Sequence, residues 1–300
     1  MIIPMFIVAL VNTVAPDALH IGTATAGIFT NTGTMTVIGI ILVISGTQLK
    51  VAQLVDLLKR GGVPCAVKIL EGFAVCWAAT ALFGINGFCG ISTLALVVAF
   101  SSCNPGVYLA LVREYGDTAD EAAFGPYNVI AAPAIPLMII GMGSGGGFDV
   151  MVVVDLLVPF VIGVLLGNID DGFTRLFSPA MPVALFFLGC CFGSNINLLQ
   201  AVAAGPSAVL LALLYLVVNI PLFLVIDRVV LRRPGYAGVA LSSVAGVACS
   251  APAIVAATYP QFEPYVSVAT SQIALAVVIT SFAVPYITKF VVSKYGNDKN

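Results

Sequence analysis

Apolar runs of nearly membrane-spanning length recur along the whole chain, and they restrict the fold more than any other feature. A helix needs about 20 mostly apolar residues to cross a bilayer, and ten stretches approach that length. Only 9% of the 300 residues are charged, against roughly 25% in a soluble domain. The sequence therefore predicts an all-α polytopic membrane protein with ten transmembrane helices. The predicted spans are 1–14, 27–48, 65–84, 90–112, 121–142, 149–167, 178–197, 206–230, 237–258 and 264–291.

The distribution of basic residues predicts the orientation. With ten spans, all 12 lysines and arginines fall on one side of the membrane. By the positive-inside rule this side is cytoplasmic, so both termini are expected in the cytoplasm. The first apolar segment, MIIPMFIVALV, has no basic residues ahead of it and no small-residue cleavage site. It is expected to be a span rather than a cleaved signal peptide.

The two halves of the chain resemble each other. The segment GTQLKVAQ at 46–53 matches GSNINLLQ at 193–200, and PMFIVALVN at 4–12 matches PFVIGVLLGN at 159–168. Because each half holds five spans, an odd number, the second copy must be inverted relative to the first. The sequence thus predicts two inverted repeats, 1–142 and 149–291, a common plan of secondary transporters.

Each repeat interrupts its fourth span with proline and small polar residues. The interruptions read SSCNPGVYL at 101–109 and ACSAPAIVA at 248–256, and their prolines are 147 positions apart. Irregular backbone inside a membrane must be covered by protein or by a wet cavity. We expect Asn104 and Ser250 to cap restarted helices that begin with Pro105 and with Pro252 in the first turn. Free N–H groups at such restarts would bind a carboxylate near the membrane centre. Two simple proline kinks are the alternative.

At these residues the sequence resembles the bacterial 2-keto-3-deoxygluconate permeases and, more widely, the transporters with the bile-acid and arsenite transporter-like fold. The resemblance covers nearly the whole chain and is carried by GISTLALV at 90–97, by Asn104, Gly106 and Tyr108, by GNID at 167–170, by Ser242, Ser243, Ala245 and Gly246, and by ATS at 269–271. It implies a core of about 65–142 and 206–291, a panel of about 1–48 and 149–197, and broken helices 4 and 9 that cross. It also implies a bacterial inner-membrane protein that imports a sugar acid with protons.

Two positions depart from the pattern of that family. An acidic residue often occupies the position of Ser101, and another that of Ile130, whereas both are uncharged here. If those acids carry the coupling proton or contact the sugar acid, this chain must do so differently or prefer another substrate.

Further candidates for the site come from polar residues in or near the spans. Glu71 lies inside span 3 and is a candidate proton carrier, since acids within membranes are costly and often functional; an ion pair with Lys68, a lysine that reaches the cytoplasmic boundary, is the alternative. Asn128 and Gln272 are candidate coupling-ion ligands, with interhelical hydrogen bonding as the alternative. The predicted substrate-binding residues are Thr47, Gln48, Ser101, Ser102, Cys103, Asn104, Gly106, Asn195, Ser243, Ser250 and Ala251.

These observations predict a secondary transporter that works by alternating access. Its substrate would be a small organic anion, and its coupling ion H⁺ or Na⁺; Na⁺-coupled transport of another organic anion is the alternative. An intramembrane enzyme is disfavoured because the chain has no HExxH or GxSxG motif, and a channel suits a closed central site poorly. The seven cysteines lack the spacing of a zinc site, so no metal or cofactor is expected. The expected partners are the substrate and the lipid bilayer, not nucleic acid.

Overall fold

The chain folds into helices of very unequal length. The computed structural model describes residues 2–51, 54–117, 120–121, 123–131, 134–143, 150–194 and 205–298. Its α-helices are α1 (Ile2–Val14), α2 (Thr23–Phe29), α3 (Thr34–Thr47), α4 (Leu54–Phe83), α5 (Thr93–Phe100), α6 (Pro105–Tyr115), α7 (Phe124–Ile130), α8 (Ala134–Gly143), α9 (Val150–Ile169), α10 (Asp171–Phe177), α11 (Met181–Gly193), α12 (Gly205–Val225), α13 (Tyr236–Leu241), α14 (Ala251–Thr258) and α15 (Val266–Tyr295).

Among the described residues, six helical segments are long and apolar enough to cross a membrane. They are Gly61–Phe83, Thr93–Tyr115, Asp171–Cys191, Gly205–Val230, Tyr236–Thr258 and Pro260–Tyr295. These six coincide with predicted spans 3, 4, 7, 8, 9 and 10. Shorter apolar helices occur at Thr36–Thr47 and Leu157–Ile169, within predicted spans 2 and 6. The prediction of an all-helical, polytopic membrane protein is therefore confirmed.

The two spans with predicted interruptions are broken, and both lie in the interior. The first runs as α5 and α6 with irregular backbone at 101–104 between them, and the second contains α13 and α14. Within an apolar stretch of 18 residues, 72% and 78% of the residues are buried in these two spans, whereas in the other four spans the share is 22–33%. Protein therefore covers the irregular backbone, as the absence of water in a bilayer requires.

The second break lies earlier in the chain than predicted. Helix α13 ends at Leu241, residues 242–245 are irregular, and a 3₁₀ turn, Gly246–Ser250, leads directly into α14. Ser250 has helical backbone angles, and its hydroxyl donates to the carbonyl oxygen of Val247 at 2.7 Å. The prediction that Ser250 caps a restarted helix is therefore wrong. Pro252 lies in the first turn of α14, beyond both the irregular residues 242–245 and the 3₁₀ turn, so it does not cause the interruption.

Glycines bring α3 and α9 into close contact. A Cβ atom at Gly46 would overlap the carbonyl of Phe160, and one at Gly163 would overlap the carbonyl of Val43. In membranes, where apolar burial does not distinguish a helix from lipid, small residues of this kind let helices gain contact energy. Helix α11 packs against both α1 and α3. Helices α1, α3, α9 and α11 thus form one packed group, called here the four-helix group.

A buried arginine ties the ends of both broken spans to the C-terminal segment. The Arg233 guanidinium contacts Asp120, lies 3.4 Å from Asp227 Oδ1 and 3.9 Å from Asp298 Oδ2. The Tyr236 hydroxyl oxygen lies 2.6 Å from Asp120 Oδ2, to which it donates, and 3.0 Å from Asp298 Oδ2. Burial opposes the charge of Arg233, but Asp227 and Asp120 outweigh that effect and raise its pKa above the ordinary value. Arg233 therefore remains a cation that holds three carboxylates together.

From the close packing of α3 and α9 we predict different effects of alanine at two glycines of α3. Gly46→Ala forces a methyl group against the Phe160 carbonyl, and we expect a loss of about 1–3 kcal/mol in stability. Gly39 has open space where its Cβ would lie, so Gly39→Ala should leave stability unchanged or raise it by up to about 1 kcal/mol. Thermal unfolding of both variants in detergent checks this. Equal melting temperatures would contradict the close contact.

Candidate functional site

Asn104 caps the helix that restarts after the first break. Its backbone is extended, and its Oδ1 accepts hydrogen bonds from the N–H groups of Gly106 and Val107 at 3.1 and 3.2 Å. The predicted cap is thus confirmed. The same geometry corrects the predicted role of these N–H groups, because the Asn104 side chain already occupies them. They are not free donors for a carboxylate.

The two breaks meet and satisfy each other's backbone groups. The Asn104 amide nitrogen donates to the carbonyl oxygen of Val244 at 3.4 Å. The Ser102 hydroxyl accepts from the N–H of Ala245 at 3.2 Å. From α15, the Thr280 hydroxyl oxygen accepts from the N–H of Val244 at 3.1 Å. Each interruption therefore depends on the other and on α15 for hydrogen bonds that a continuous helix would supply itself.

A cavity of about 1120 Å³ lies between this junction and the four-helix group. The junction contributes the segments 104–106 and 245–247, and α15 contributes Ser281. The four-helix group and its flanking residues contribute Ser45, Gln48 and Ser178 among mainly apolar side chains. A concave, largely apolar space with a few polar groups is the usual form of a small-molecule site.

One helical start faces this cavity without a side-chain cap. The backbone of Ala245 is extended, and no side chain caps the 3₁₀ turn that begins at Gly246. This turn continues into α14, so the N–H groups of Gly246 and Val247 lie at the positive end of a segment that reaches Thr258. Both residues line the cavity. The site therefore offers backbone donors to an anion at the second break rather than at the first.

Behind the first break lies a buried ion pair. Lys68 Nζ is 3.1 Å from Glu71 Oε2, and the exposed fractions of the two side chains are 0% and 5%. The predicted ion pair therefore forms, and the Lys68 side chain is buried within the protein rather than exposed at its surface. Lys68 also donates to the Tyr215 hydroxyl at 3.1 Å and to Asn219 Oδ1. The second carboxylate oxygen of Glu71 is buried, with no hydrogen-bond partner among the described residues.

Comparison with known proteins identifies the family. The family model described as 2-keto-3-deoxygluconate permease matches residues 1–297. A protein of that name from Enterobacter sp. (strain 638) is 32% identical, over 99% of this chain and 91% of its own length. Another from Escherichia coli O7:K1 (strain IAI39 / ExPEC) is 31% identical, over 96% of this chain and 89% of its own length.

The chain belongs to the 2-keto-3-deoxygluconate permease family. Members of this family are permeases rather than enzymes, which agrees with the absence of catalytic motifs from the sequence. Together with its apolar helices, membership indicates a multi-pass inner-membrane protein. The resemblance in the sequence is thereby confirmed.

The structure brings only some of the predicted site residues of this permease to the cavity. Gln48, Asn104 and Gly106 line it, while Ser102 and Ser243 lie behind them and support the junction. The other predicted binding residues that the structure describes do not line this cavity. They are Thr47, Ser101, Cys103, Ser250 and Ala251.

Several of these side chains are hydrogen-bonded to nearby backbone. The hydroxyls of Thr47 and Ser101 each donate at 2.7 Å, to the carbonyl oxygens of Ile44 and Val97. The thiol of Cys103 lies 3.6 Å from the carbonyl oxygen of Tyr127. Asn195 and the side chain of Asn128 lie outside the part of the chain that the structure describes.

Gln272 does not reach the junction. Its amide nitrogen donates to the Gly90 carbonyl and to the Ser207 hydroxyl, both at 2.7 Å. Thr280, which contacts the junction, is eight residues further along α15, a distance of about 12 Å at 1.5 Å per residue. The contacts of Gln272 are those of interhelical hydrogen bonding, the alternative that the sequence left open.

Sequence reasoning missed the cavity residues Ser45, Ser178 and Ser281 and the supporting residues Tyr215 and Thr280. A weak signal exists for α15, where the polar pair Thr280–Ser281 interrupts an apolar run. Tyr215 gives no such signal, because tyrosine is common in apolar helices. Its importance follows only from the residues that the fold places beside it.

From the cap at the first break we predict how substitutions of Asn104 change stability. Asn104→Ala removes both the cap and the contact with Val244, so we expect it to lower stability by about 1 kcal/mol or more. Asn104→Ser retains an acceptor for the cap and should lose less. Ser281→Ala, a cavity residue within a continuous helix, is the control. Thermal unfolding that ranks the alanine and serine variants of Asn104 alike would contradict the role of the cap.

Proposed function

We propose that this protein is a secondary active transporter that imports 2-keto-3-deoxygluconate or a closely similar sugar acid by proton-coupled symport. Family membership and the names of its relatives support the substrate class. The observation that carries the proposal is the cavity between the junction of two broken helices and the four-helix group. Such a cavity is where transporters with discontinuous helices bind their substrates.

Ten spans arranged as two inverted repeats, 1–142 and 149–291, form the proposed membrane topology. The core would consist of about 65–142 and 206–291, and the panel of about 1–48 and 149–197, with both termini in the cytoplasm. Two observations support this division. The four-helix group contains helices from both halves of the chain, and the broken spans that meet also come one from each half. Movement of the core against the panel would open the cavity to each side in turn.

The substrate carboxylate would bind at the uncapped helical start of Gly246 and Val247. The hydroxyl groups of the substrate would then face polar side chains across the cavity. The N–H groups and the positive end of the helical segment favour an anion there. Asn104, Gln48 and Ser281 border the same space. A six-carbon sugar acid is small compared with about 1120 Å³, so water or closure of the cavity would complete its surroundings.

The coupling proton would be carried by Glu71. It is a buried acid whose second oxygen has no partner among the described residues, and its ion pair leads by hydrogen bonds to the first break. This assignment accounts for coupling in a chain that has serine at position 101 and isoleucine at position 130. Neither Ser101 nor Ile130 can carry a proton, and both are buried.

Uptake of labelled 2-keto-3-deoxygluconate into proteoliposomes tests this function. An inward proton gradient should drive accumulation above the external concentration, since only coupled transport can proceed uphill. Replacing external Na⁺ with choline at constant pH should have no effect. Accumulation that needs Na⁺ would favour the alternative coupling ion. Uptake that stops at equal concentrations would exclude coupled transport, and the absence of uptake by folded protein would reject this substrate.

Replacement of Glu71 tests its role as the proton carrier. Glu71→Gln keeps the shape of the side chain but cannot release a proton, so uphill uptake driven by the pH gradient should fall at least about tenfold. Exchange of labelled for unlabelled substrate at equal concentrations should persist. Glu263→Gln, at an exposed acid, is the control. Uphill uptake retained in Glu71→Gln would exclude Glu71 as the carrier.

A further inference from the structure

Lys68 is a fully buried cation in a protein proposed to transport an anion. Its side chain has an exposed fraction of 0% and donates to Glu71, Tyr215 and Asn219. The rings of Tyr215 and Phe223 lie 4.6 and 5.3 Å from its ammonium nitrogen. A buried charge costs several kcal/mol unless it is well paired, and intramembrane charges are usually functional. The surroundings of Lys68 show what this charge contacts.

Hydrogen bonds on the two sides of Ser102 connect Lys68 with the cavity wall. Tyr215 accepts from Lys68 and donates its own hydrogen to the carbonyl oxygen of Ser102 at 3.1 Å. The Ser102 hydroxyl accepts from the N–H of Ala245 at 3.2 Å. Ala245 lines the cavity and immediately precedes the uncapped helical start at Gly246. The ion pair on α4 is therefore connected to the backbone that the substrate carboxylate is proposed to contact.

The charges of this cluster change when Glu71 gains a proton. With Glu71 ionised, Lys68 and Glu71 together are neutral. With Glu71 protonated, one positive charge remains in a region that excludes water, and an anion in the cavity would compensate it. The Glu71 oxygen without a hydrogen-bond partner in the described part of the chain can take the proton while the other oxygen keeps its contact with Lys68. Proton binding and anion binding would then strengthen each other, as linkage requires.

The charge balance depends on Lys68 and Glu71, although other ionisable groups lie near them. These groups are Tyr215 from α12 and Cys103 from the first break, and Cys65 from α4 interacts with Cys103. The thiol of Cys103 is directed to the Tyr127 carbonyl, and the hydroxyl of Tyr215 is used in the hydrogen-bonded path. Lys68 is thus the cation that pairs with Glu71 in this cluster.

We propose that Lys68 is a positioning residue that makes binding of the substrate carboxylate depend on the protonation of Glu71. Its fixed positive charge attracts the anion once Glu71 is neutral, and its contact with Tyr215 transmits the change to both breaks. The inference rests on the proposed function for the identity of the anion. The connection between the ion pair and the breaks does not depend on the substrate.

Binding of 2-keto-3-deoxygluconate to purified protein, measured calorimetrically between about pH 5 and pH 8, tests the electrostatic part. In the wild type, affinity should increase as the pH falls, by about tenfold for a unit charge on the order of 10 Å away. The double variant Lys68→Met with Glu71→Gln replaces the ion pair with neutral side chains of similar size, so no buried charge is left unpaired. Its affinity should not depend on pH and should be lower than that of the wild type at low pH. Lys289→Met, at an exposed lysine, should behave as the wild type.

Hydrogen exchange without ligand tests the connection to the breaks. In the wild type, exchange at 102–104 and 244–247 should depend on pH beyond the intrinsic chemical dependence, whereas in the neutral double variant it should not. Tyr215→Phe keeps both charges and removes the hydrogen-bonded link, so it should also lose this response.

These two measurements separate failure of the inference from failure of the proposed function. A double variant that binds substrate with the pH dependence of the wild type would overturn the inference while leaving the transport function intact. If the wild type binds no 2-keto-3-deoxygluconate, the proposed substrate is wrong, and hydrogen exchange alone then tests the role of Lys68. An identical exchange response in the wild type and the double variant would then overturn the role of Lys68.

Discussion

The structure depends on satisfying backbone hydrogen bonds at two helix interruptions where no water is available. A break inside a membrane leaves N–H and C=O groups that cost several kcal/mol each if they stay unpaired. Here the partners come from the opposite break and from α15. Ser102 accepts from Ala245, Asn104 donates to Val244, and Thr280 accepts from Val244. Because these bonds are mutual, neither broken span can keep its shape if the other is removed. The interior location of both spans follows from the same requirement.

The same backbone that must be satisfied also creates the polar surface of the cavity. At the first break the Asn104 side chain caps the following helix and so occupies the N–H groups of Gly106 and Val107. The second break has no such cap, because the residue before its helical turn is Ala245. The difference gives the two breaks different chemical roles despite their corresponding positions in the repeats. One break holds the junction together, and the other presents N–H groups to the cavity.

The part of the chain that the structure describes holds two clusters of buried charges with different surroundings. Around Arg233, three carboxylates from separate parts of the chain converge near the ends of the broken spans, where they fasten the C-terminal segment. Around Lys68, one carboxylate and two neutral side chains enclose the cation within the membrane-spanning region. The first cluster stabilises the fold. In the second, a single protonation of Glu71 changes the net charge, so it is suited to respond to protons.

The sequence by itself determined the class of protein, the position of the first break and the cap at Asn104. These depend on local properties: the length of an apolar run, the missing N–H of Pro105, and the ability of an asparagine side chain to accept from the following turn. The family also followed from sequence, because its motifs extend over most of the chain.

Only the tertiary structure decided where the second break begins, which residues reach the cavity, and how the charge of Lys68 is balanced. Ser250 and Asn104 look alike as capping residues, but the 3₁₀ turn before α14 already gives Ser250 helical geometry. Lys68 and Glu71 are one turn apart in the sequence, whereas Tyr215 and Asn219 come from a helix about 150 residues away. Partners of this kind are set by the packing of distant helices. The local sequence determines which groups need a partner, and the packing of distant helices determines which partner they find.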